Sequence, residues 1–243
     1  MDAAIISTTA ALAVVYGLVV THLEGRSFVW PDRNQTFYYN LLLMMGKVDE
    51  ASERPRREHL EAMCGWGSII ADHGQAASTF GLSVTASTLG DPISALISAL
   101  MAAYGPLHFG AQEAAYTTMQ QIGTPSNVPA YLERIKQGKE RMHGFGHRSY
   151  KAWDPRVVNA TRILDSLGGE DSIPFYAVAK ELERAVLNDE FFQKRNLQAN
   201  ADLYGQFAYV AMGWESYWSP AMVFLLRMPG LMSTWRDNMR TLY

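Results

Sequence analysis

Eight stretches of this sequence carry apolar residues at the three- and four-residue spacing of an amphipathic helix, and this periodicity constrains the fold most. They are 58–71, 92–104, 110–122, 129–136, 155–167, 173–187, 201–212 and 220–226. Glycine and proline breakers separate them, at Gly90-Asp91-Pro92, Gly105-Pro106, Thr124-Pro125-Ser126-Asn127, Gly168-Gly169 and Pro229-Gly230. No stretch shows the alternation that is typical of a strand. The sequence therefore predicts an all-α fold.

Composition narrows the class of protein. The chain has 243 residues, of which 48% are hydrophobic and 19% charged, which is enough to bury one large core or two unequal ones. Its net charge of −3 provides no overall basic field, so we expect no nucleic-acid partner. The single cysteine, Cys64, cannot form an internal disulfide. Together these features predict a cytoplasmic or organelle-matrix protein without a clear targeting signal.

The N-terminal run 3–20 is apolar enough to resemble a signal peptide or a membrane span. A signal peptide begins with a basic segment, whereas this chain begins Met1-Asp2, and hydroxyl residues such as Ser7 and Thr8 interrupt the run. We expect a buried helix and no membrane partner. The signal and single-pass alternatives remain open, because 18 residues reach the lower edge of spanning length.

The segment 141–156 concentrates histidines, basic residues and two glycines. Gly144 and Gly146 allow the backbone to approach a ligand closely, and basic side chains bind phosphates or carboxylates. These are Arg148, Lys151 and Arg156. The combination favours an anionic ligand, with a solvated basic turn as the alternative.

Three histidines, His73, His108 and His147, lie next to breakers, although each alone is more often a structural residue. His108 precedes a helix that begins near Gly110, where the helix dipole disfavours an imidazolium and keeps the ring neutral. His143 and His147 have the spacing of a helical metal pair, but the glycines between them argue against a helix. We predict no metal site.

Six segments, in this order, resemble the citrate synthase family, and more closely its fungal alkylcitrate and methylcitrate branch. They are Asp72-His73-Gly-Gln-Ala-Ala-Ser-Thr-Phe80, Gly105-Pro-Leu-His-Phe-Gly-Ala-Gln-Glu113, Gly144-Phe-Gly-His-Arg-Ser-Tyr-Lys151, Asp154-Pro-Arg156, Asn200-Ala-Asp202 and Arg227-Met-Pro-Gly230. The resemblance implies a two-domain helical fold. Residues 1–109 and 213–243 would form the large domain, and residues 110–212 a small domain that closes over the ligand.

The resemblance also implies a role for each motif residue. Asp202 would remove the α-proton of an acyl-CoA, His108 would donate a hydrogen bond to the thioester oxygen, and His147 would polarise the ketone of oxaloacetate. The remaining assignments are His73, Arg156 and Arg227 for the carboxylates of oxaloacetate, and Gly144, Phe145, Gly146, Arg148 and Lys151 for coenzyme A. Coenzyme A would be a co-substrate, and no cofactor would be permanently bound.

Two of these residues also have structural alternatives. Asp202 is a candidate N-cap for the helix that begins near residue 201. Arg227 is a candidate for neutralising the last carbonyls of a helix that ends before Pro229-Gly230.

The chain also departs from the family pattern. Relative to that pattern it is expected to be shortened at both ends, without several N-terminal helices and without a C-terminal arm that reaches the partner subunit. Phe109 replaces the usual glycine after the histidine, and Gly74 replaces a glutamate. Phe109 is therefore expected to shape the acyl pocket, in favour of a longer acyl group or another acceptor.

Three functions follow from the resemblance. The first is condensation of an acyl-CoA with oxaloacetate or a related 2-oxo acid to give a citrate or alkylcitrate. The second is altered chemistry in specialised metabolism, such as cyclisation, decarboxylation or hydration. The third is a non-catalytic auxiliary role. The resemblance also implies a homodimer, with the helix at 93–104 and the N-terminal helices as contributors to its interface.

Overall fold

The computed structural model describes residues 1–147, 150 and 152–241, and over these residues the chain forms thirteen α-helices. They are α1 (Asp2–Leu23), α2 (Phe37–Met44), α3 (Arg57–Ile70), α4 (Ala77–Ala86), α5 (Pro92–Ala103), α6 (Gly110–Ile122), α7 (Val128–Lys136), α8 (Arg156–Ser166), α9 (Gly169–Ser172), α10 (Tyr176–Leu187), α11 (Glu190–Gln193), α12 (Ala201–Ala211) and α13 (Ser219–Thr241). Extended pairing within the described residues is limited to one antiparallel bridge between Phe145 and Ala199. The predicted all-α fold is confirmed.

All eight predicted helices are present. Apart from α13, their ends shift only slightly, because their limits depend on local signals. At α5, for example, Asp91 accepts hydrogen bonds from the backbone N–H groups of Ile93 and Ser94, and Pro92 occupies the first turn. Helix α4 was not predicted. Its sequence is rich in serine and threonine, and two of its buried residues, Ser78 and Thr79, are polar.

The helices form two compact units. The first comprises Met1–His108 and Ala221–Tyr243, and in it α4 packs along α5 while α2 contacts α1 and α3. The second comprises Phe109–Pro220 and is built around α12, which contacts α6, α8 and α10. Burial of aromatic side chains such as Tyr204 and Phe207 stabilises α12.

Helix α13 corrects the prediction of a helix end at Pro229-Gly230. The helix continues through both residues to Thr241, although proline supplies no backbone donor. Burial beyond the proline offsets that loss, since Leu231 and Met232 are fully covered and the Trp235 indole N–H donates to the carbonyl of Gly90. Tertiary packing therefore overrides the local helix-stop signal.

Helix α1 corrects the prediction of a buried N-terminal helix. The helix is present, but only 17% of its most apolar 18-residue window is buried. The covered residues form one stripe that includes Ala13, Gly17 and Val20, and a Cβ added to Gly17 would meet the Cβ of Met44 at 2.7 Å. Among the described residues, α1 alone has the length and hydropathy of a membrane span. The expected absence of a membrane partner stays a prediction.

Candidate active site

His108 lies in the first unit, immediately before α6, and its ring is held by α4. The Oγ of Ser78 lies 2.9 Å from Nε2 of His108, and Ser78 is fully buried. The backbone N–H of His108 donates to the carbonyl of Gly105 at 3.0 Å. Burial, and then the positive charge of Arg227, lower the pKa of His108 to about 4. The imidazole is therefore neutral near pH 7.

Arg227 is buried in the middle of α13, with 5% of its surface exposed. Its Nε donates to the carbonyl of Ile70, the last residue of α3. Arg227 does satisfy a helix-terminal carbonyl, but one from another helix, so the predicted cap within its own helix is wrong. Gly230 makes this contact possible, because α13 approaches Ala71 too closely for a side chain at that position.

His73 occupies the loop between α3 and α4 and is half-buried. The loop is shaped by Asp72, whose carboxylate accepts from the backbone N–H of Gly74 at 3.1 Å. The two helices that flank this loop provide the partners of Arg227 and His108. The first unit thus holds His73, His108 and Arg227 on one connected framework.

In the second unit, the glycine-rich segment 144–146 pairs with residues 198–200. The N–H of Asn200 donates to the carbonyl of Gly144 at 2.9 Å, and the N–H of Gly146 donates to the carbonyl of Gln198 at 2.7 Å. The Asn200 side chain adds a bond from Nδ2 to the carbonyl of Gly146 at 2.6 Å. The segment assigned to coenzyme A is thereby joined to the segment that leads into Asp202.

Gly144 has a packing role that the sequence did not reveal. Its φ is +79°, and an added Cβ would lie 2.8 Å from both Cα and Cβ of Leu203 in α12. A glycine is required here because the backbone approaches this helix closely. The close approach predicted for a ligand is made, at Gly144, to the protein itself.

Asp202 is the second residue of α12 and is half-buried. The N-cap is Asn200, whose Oδ1 accepts from the N–H of Asp202 at 2.9 Å. The alternative of Asp202 as the N-cap is therefore wrong. Its side chain is not needed to cap the helix, and the first turn of a helix stabilises a carboxylate.

Arg156, the first residue of α8, is oriented by Asp154. Its Nε and Nη2 atoms donate to the Asp154 carboxylate at 3.0 Å and 2.7 Å, and its backbone N–H donates to the same group. The guanidinium carbon also lies 5.6 Å from the ring centroid of Tyr150.

A hydrogen bond from the backbone determines which ring nitrogen of His147 carries the proton in the neutral form. The N–H of Tyr150 donates to Nδ1 at 3.1 Å, so the neutral ring carries its proton on Nε2. Burial and then Arg156 lower the pKa of His147, against an opposing effect of Asp154. A neutral His147 thus presents Nε2–H as a hydrogen-bond donor.

Phe109 is buried at the N-terminus of α6. Arg148 and Lys151, two of the residues assigned to coenzyme A, lie outside the described residues.

Comparison with known proteins decides the family. The profile of the family described as citrate synthase, C-terminal domain, matches residues 1–242. The chain belongs to the citrate synthase family. The alkylcitrate synthase phiJ of a fungal species is 42% identical over 98% of this chain and 52% of its own length. The alkylcitrate synthase tstJ of Talaromyces stipitatus is 40% identical over 98% of this chain and 53% of its own length.

Solved structures of the citrate synthase family show the same fold. The citrate synthase of Thermotoga maritima matches with a TM-score of 0.82 and 25% identity, over 93% of this chain and 60% of its own. That of Thermoplasma acidophilum, solved with carboxymethyl coenzyme A and oxaloacetate, matches with a TM-score of 0.82 and 27% identity, over 93% of this chain and 59% of its own. The chain spans about half the length of the curated relatives it matches.

Three residues of this citrate synthase family chain were not assigned as site residues from the sequence. Ser78 contacts His108, Asp154 contacts Arg156, and Asn200 links the glycine-rich segment to Asp202. All three lie inside the quoted motifs. Asp154 and Asn200 could have been identified because each lies two residues from an assigned residue in the same motif, whereas the partner of Ser78 is 30 residues away and no local signal connects them.

Proposed function

We propose that this chain carries the condensing centre of an alkylcitrate-type synthase. The reaction joins the α-carbon of an acyl-CoA to the ketone carbon of oxaloacetate or a related 2-oxo acid, and water then cleaves the thioester to release coenzyme A. The observation that carries the proposal is the neutral His108, held by Ser78. An enolising site needs such a donor, because it stabilises the developing oxyanion without a competing proton equilibrium.

Enolisation assigns complementary tasks to Asp202 and His108. A thioester α-proton is a very weak acid, and a carboxylate cannot remove it without simultaneous stabilisation of the oxygen. Asp202 takes the proton. The hydroxyl of Ser78 lies within hydrogen-bonding distance of Nε2 of His108. In the tautomer that this reaction requires, the hydroxyl donates to Nε2 and the ring proton is on Nδ1, from which it is donated to the thioester oxygen. The enol then attacks the ketone carbon.

The 2-oxo acid supplies the electrophile. Nε2–H of His147 donates to the ketone oxygen and increases the positive character of the carbon. Arg156 and Arg227 bind the carboxylates through their guanidinium groups, and His73 adds a hydrogen bond. The identity of the relatives as alkylcitrate synthases supports this substrate class.

Coenzyme A is assigned to the segment 144–146 with Arg148 and Lys151. Phosphate recognition by basic side chains next to a glycine-rich turn supports this assignment. Since Gly144 is already packed against Leu203, the contact with coenzyme A falls to Phe145, Gly146 and the two basic residues.

The proposal is tested by incubating the purified chain with oxaloacetate and a panel of acyl-CoAs from acetyl to long-chain. Free coenzyme A and condensation products are followed by mass spectrometry. A product whose mass is that of oxaloacetic acid plus the free carboxylic acid of the acyl group establishes the reaction and the acyl preference, and Phe109→Gly reports whether Phe109 sets it. No product across the panel from a folded chain would favour altered chemistry or an auxiliary role.

Ser78→Ala is expected to lower kcat about 10-fold with little change in either KM. The substitution removes one hydrogen bond that orients a ring acting in the transition state, an effect of about 1 kcal/mol or slightly more. The matched control is Ser98→Ala, because the Ser98 hydroxyl also makes a hydrogen bond between separate segments of the first unit, to the carbonyl of Gly81 at 2.9 Å. Steady-state kinetics that show equal losses in the two variants would contradict this role for Ser78.

We also propose that the α4–α5 pair binds a second copy of the chain. Apolar side chains on this pair are more than half exposed, and they are Phe80, Val84, Ile93, Ile97 and Met101. Such a patch is larger than isolated surface hydrophobics and favours association. Light scattering is expected to give twice the mass of one chain for the native sequence and for the control Val158→Lys, and the monomer mass for Ile97→Lys. A monomeric native chain would contradict the proposal.

A further inference from the structure

Asp154 is a buried carboxylate without a role in the proposed reaction. It accepts hydrogen bonds from the candidate site residue Arg156 and from Ala201, which directly precedes Asp202. Only 2% of its surface is exposed. Oδ1 accepts from the backbone N–H and from Nε of Arg156, each at 3.0 Å. Oδ2 accepts from Nη2 of Arg156 at 2.7 Å and from the backbone N–H of Ala201 at 3.0 Å. One side chain thus connects the start of α8 with the start of α12.

Hydrogen bonds to both carboxylate oxygens compensate the negative charge of Asp154. Burial alone raises the pKa of this carboxyl, but the hydrogen bonds and charge of Arg156, together with the Ala201 N–H, hold it below its usual range. Asp154 is therefore ionised at neutral pH. An ionised carboxylate that accepts from a guanidinium edge and from the N-terminus of a helix is a strong, directional contact on both sides.

This geometry restricts the guanidinium of Arg156. Bonds at Nε and Nη2 set the plane of the group, and they use only some of its five N–H donors. The other donors point away from Asp154. Arg156 is thereby prepared to bind a ligand carboxylate without losing the rotational freedom of a long side chain on binding.

The same carboxylate holds the turn that precedes the candidate base. Asp154 accepts the N–H of Ala201, and Asn200 accepts the N–H of Asp202. A shift of this turn would move the carboxylate of Asp202, and small displacements of a catalytic group are costly to the rate.

We propose that Asp154 is a positioning residue that fixes the 2-oxo acid-binding Arg156 and the base-bearing turn of α12 in one arrangement. This inference rests on the proposed roles of Arg156 and Asp202. It predicts a specific kinetic pattern, because Arg156 binds the 2-oxo acid whereas Asp202 acts in the chemical step.

Asp154→Asn is expected to raise the KM for oxaloacetate about 10- to 100-fold, since hydrogen bonds to charged groups contribute that much to binding. It is also expected to lower kcat about 10-fold and to leave the KM for the acyl-CoA unchanged. The matched control is Asp165→Asn, the same chemical change in α8 at an exposed carboxylate that accepts from the Tyr176 hydroxyl at 3.2 Å. The control is expected to retain native values of all three constants.

Ala201→Pro tests the link to α12 separately and serves if Asp154→Asn does not fold. Proline is favoured at the first position of a helix, and Asn200 already has the extended backbone, with φ −121° and ψ 176°, that must precede it. The change removes the N–H that donates to Asp154. A lower kcat with a smaller change in the KM for oxaloacetate is expected.

The outcomes separate the two ideas. If the native chain neither turns over nor binds oxaloacetate by calorimetry, the proposed function fails. If the native chain is active and folded Asp154→Asn keeps its KM for oxaloacetate, the positioning role of Asp154 is overturned. An unchanged kcat in folded Ala201→Pro overturns the link to α12. An increase in both KM values together would mark a general structural role and also overturn the inference.

Discussion

Asp202→Asn is expected to lower kcat by about 10²- to 10⁴-fold, the usual contribution of a positioned general base. An amide has nearly the same shape as the carboxylate but cannot accept the α-proton of an acyl-CoA. The helix should remain intact, because Asn200 rather than Asp202 provides the cap of α12. The measurement is the initial rate of coenzyme A release with the preferred acyl-CoA and oxaloacetate.

The control for this variant is Asp171→Asn, which makes the same change at an exposed carboxylate in the first turn of α9. It should retain the native rate. Calorimetry should show that Asp202→Asn still binds oxaloacetate, because the proposed carboxylate ligands are unchanged. A variant with more than about a tenth of the native kcat would exclude Asp202 as the base, since that loss is below the range of general-base effects.

Gly230→Ala is expected to lower the free energy of unfolding by about 3 kcal/mol, at the upper end of the cost of overpacking a core. The added Cβ would overlap the carbonyl oxygen of Ala71 and lie 3.0 Å from its carbonyl carbon. A backbone carbonyl cannot rotate away as a flexible side chain can. Helix α13 must therefore move from the end of α3, which also disturbs the contact between Arg227 and Ile70.

Urea unfolding of both proteins measures this loss, and Gly105→Ala is the matched control. An added Cβ at Gly105 has no neighbour within 4 Å, and its φ lies outside the left-handed region. The control is expected to match the native stability. A Gly230→Ala protein as stable as the control would mean that α13 and α3 are not packed so closely. A rise in the KM for oxaloacetate should accompany the loss of stability.

Helix limits were accurate where the determining contacts are local. Helix α6 begins at Gly110 and ends at Ile122, as predicted, because its apolar period lies within the segment and Gly123 follows it directly as the C-cap. Helix α13 was predicted to end before Pro229-Gly230, since the contacts that extend it, such as Trp235 to Gly90, come from distant parts of the chain.

The candidate site residues show the same difference between local and long-range information. The residue types at His108, His147, Arg156 and Asp202 were chosen from ordered motifs, and the structure shows supporting contacts for them. Their supports were not predicted, because Ser78 and His108 are 30 residues apart, and Asp154 and Ala201 are 47 residues apart. No local pattern reports a hydrogen bond across such a separation.

Local periodicity, breakers and motif order were sufficient to establish an all-α member of the citrate synthase family and to select its candidate residues. Tertiary packing decided which side chain holds the ring of His108, why Gly144 must be a glycine, and which helix start Asp154 joins to Arg156. The physical reason is the distance along the chain over which each interaction acts. Helix propensity and capping act within one or two turns, whereas hydrogen bonding and close packing depend on which distant segments the folded core brings together.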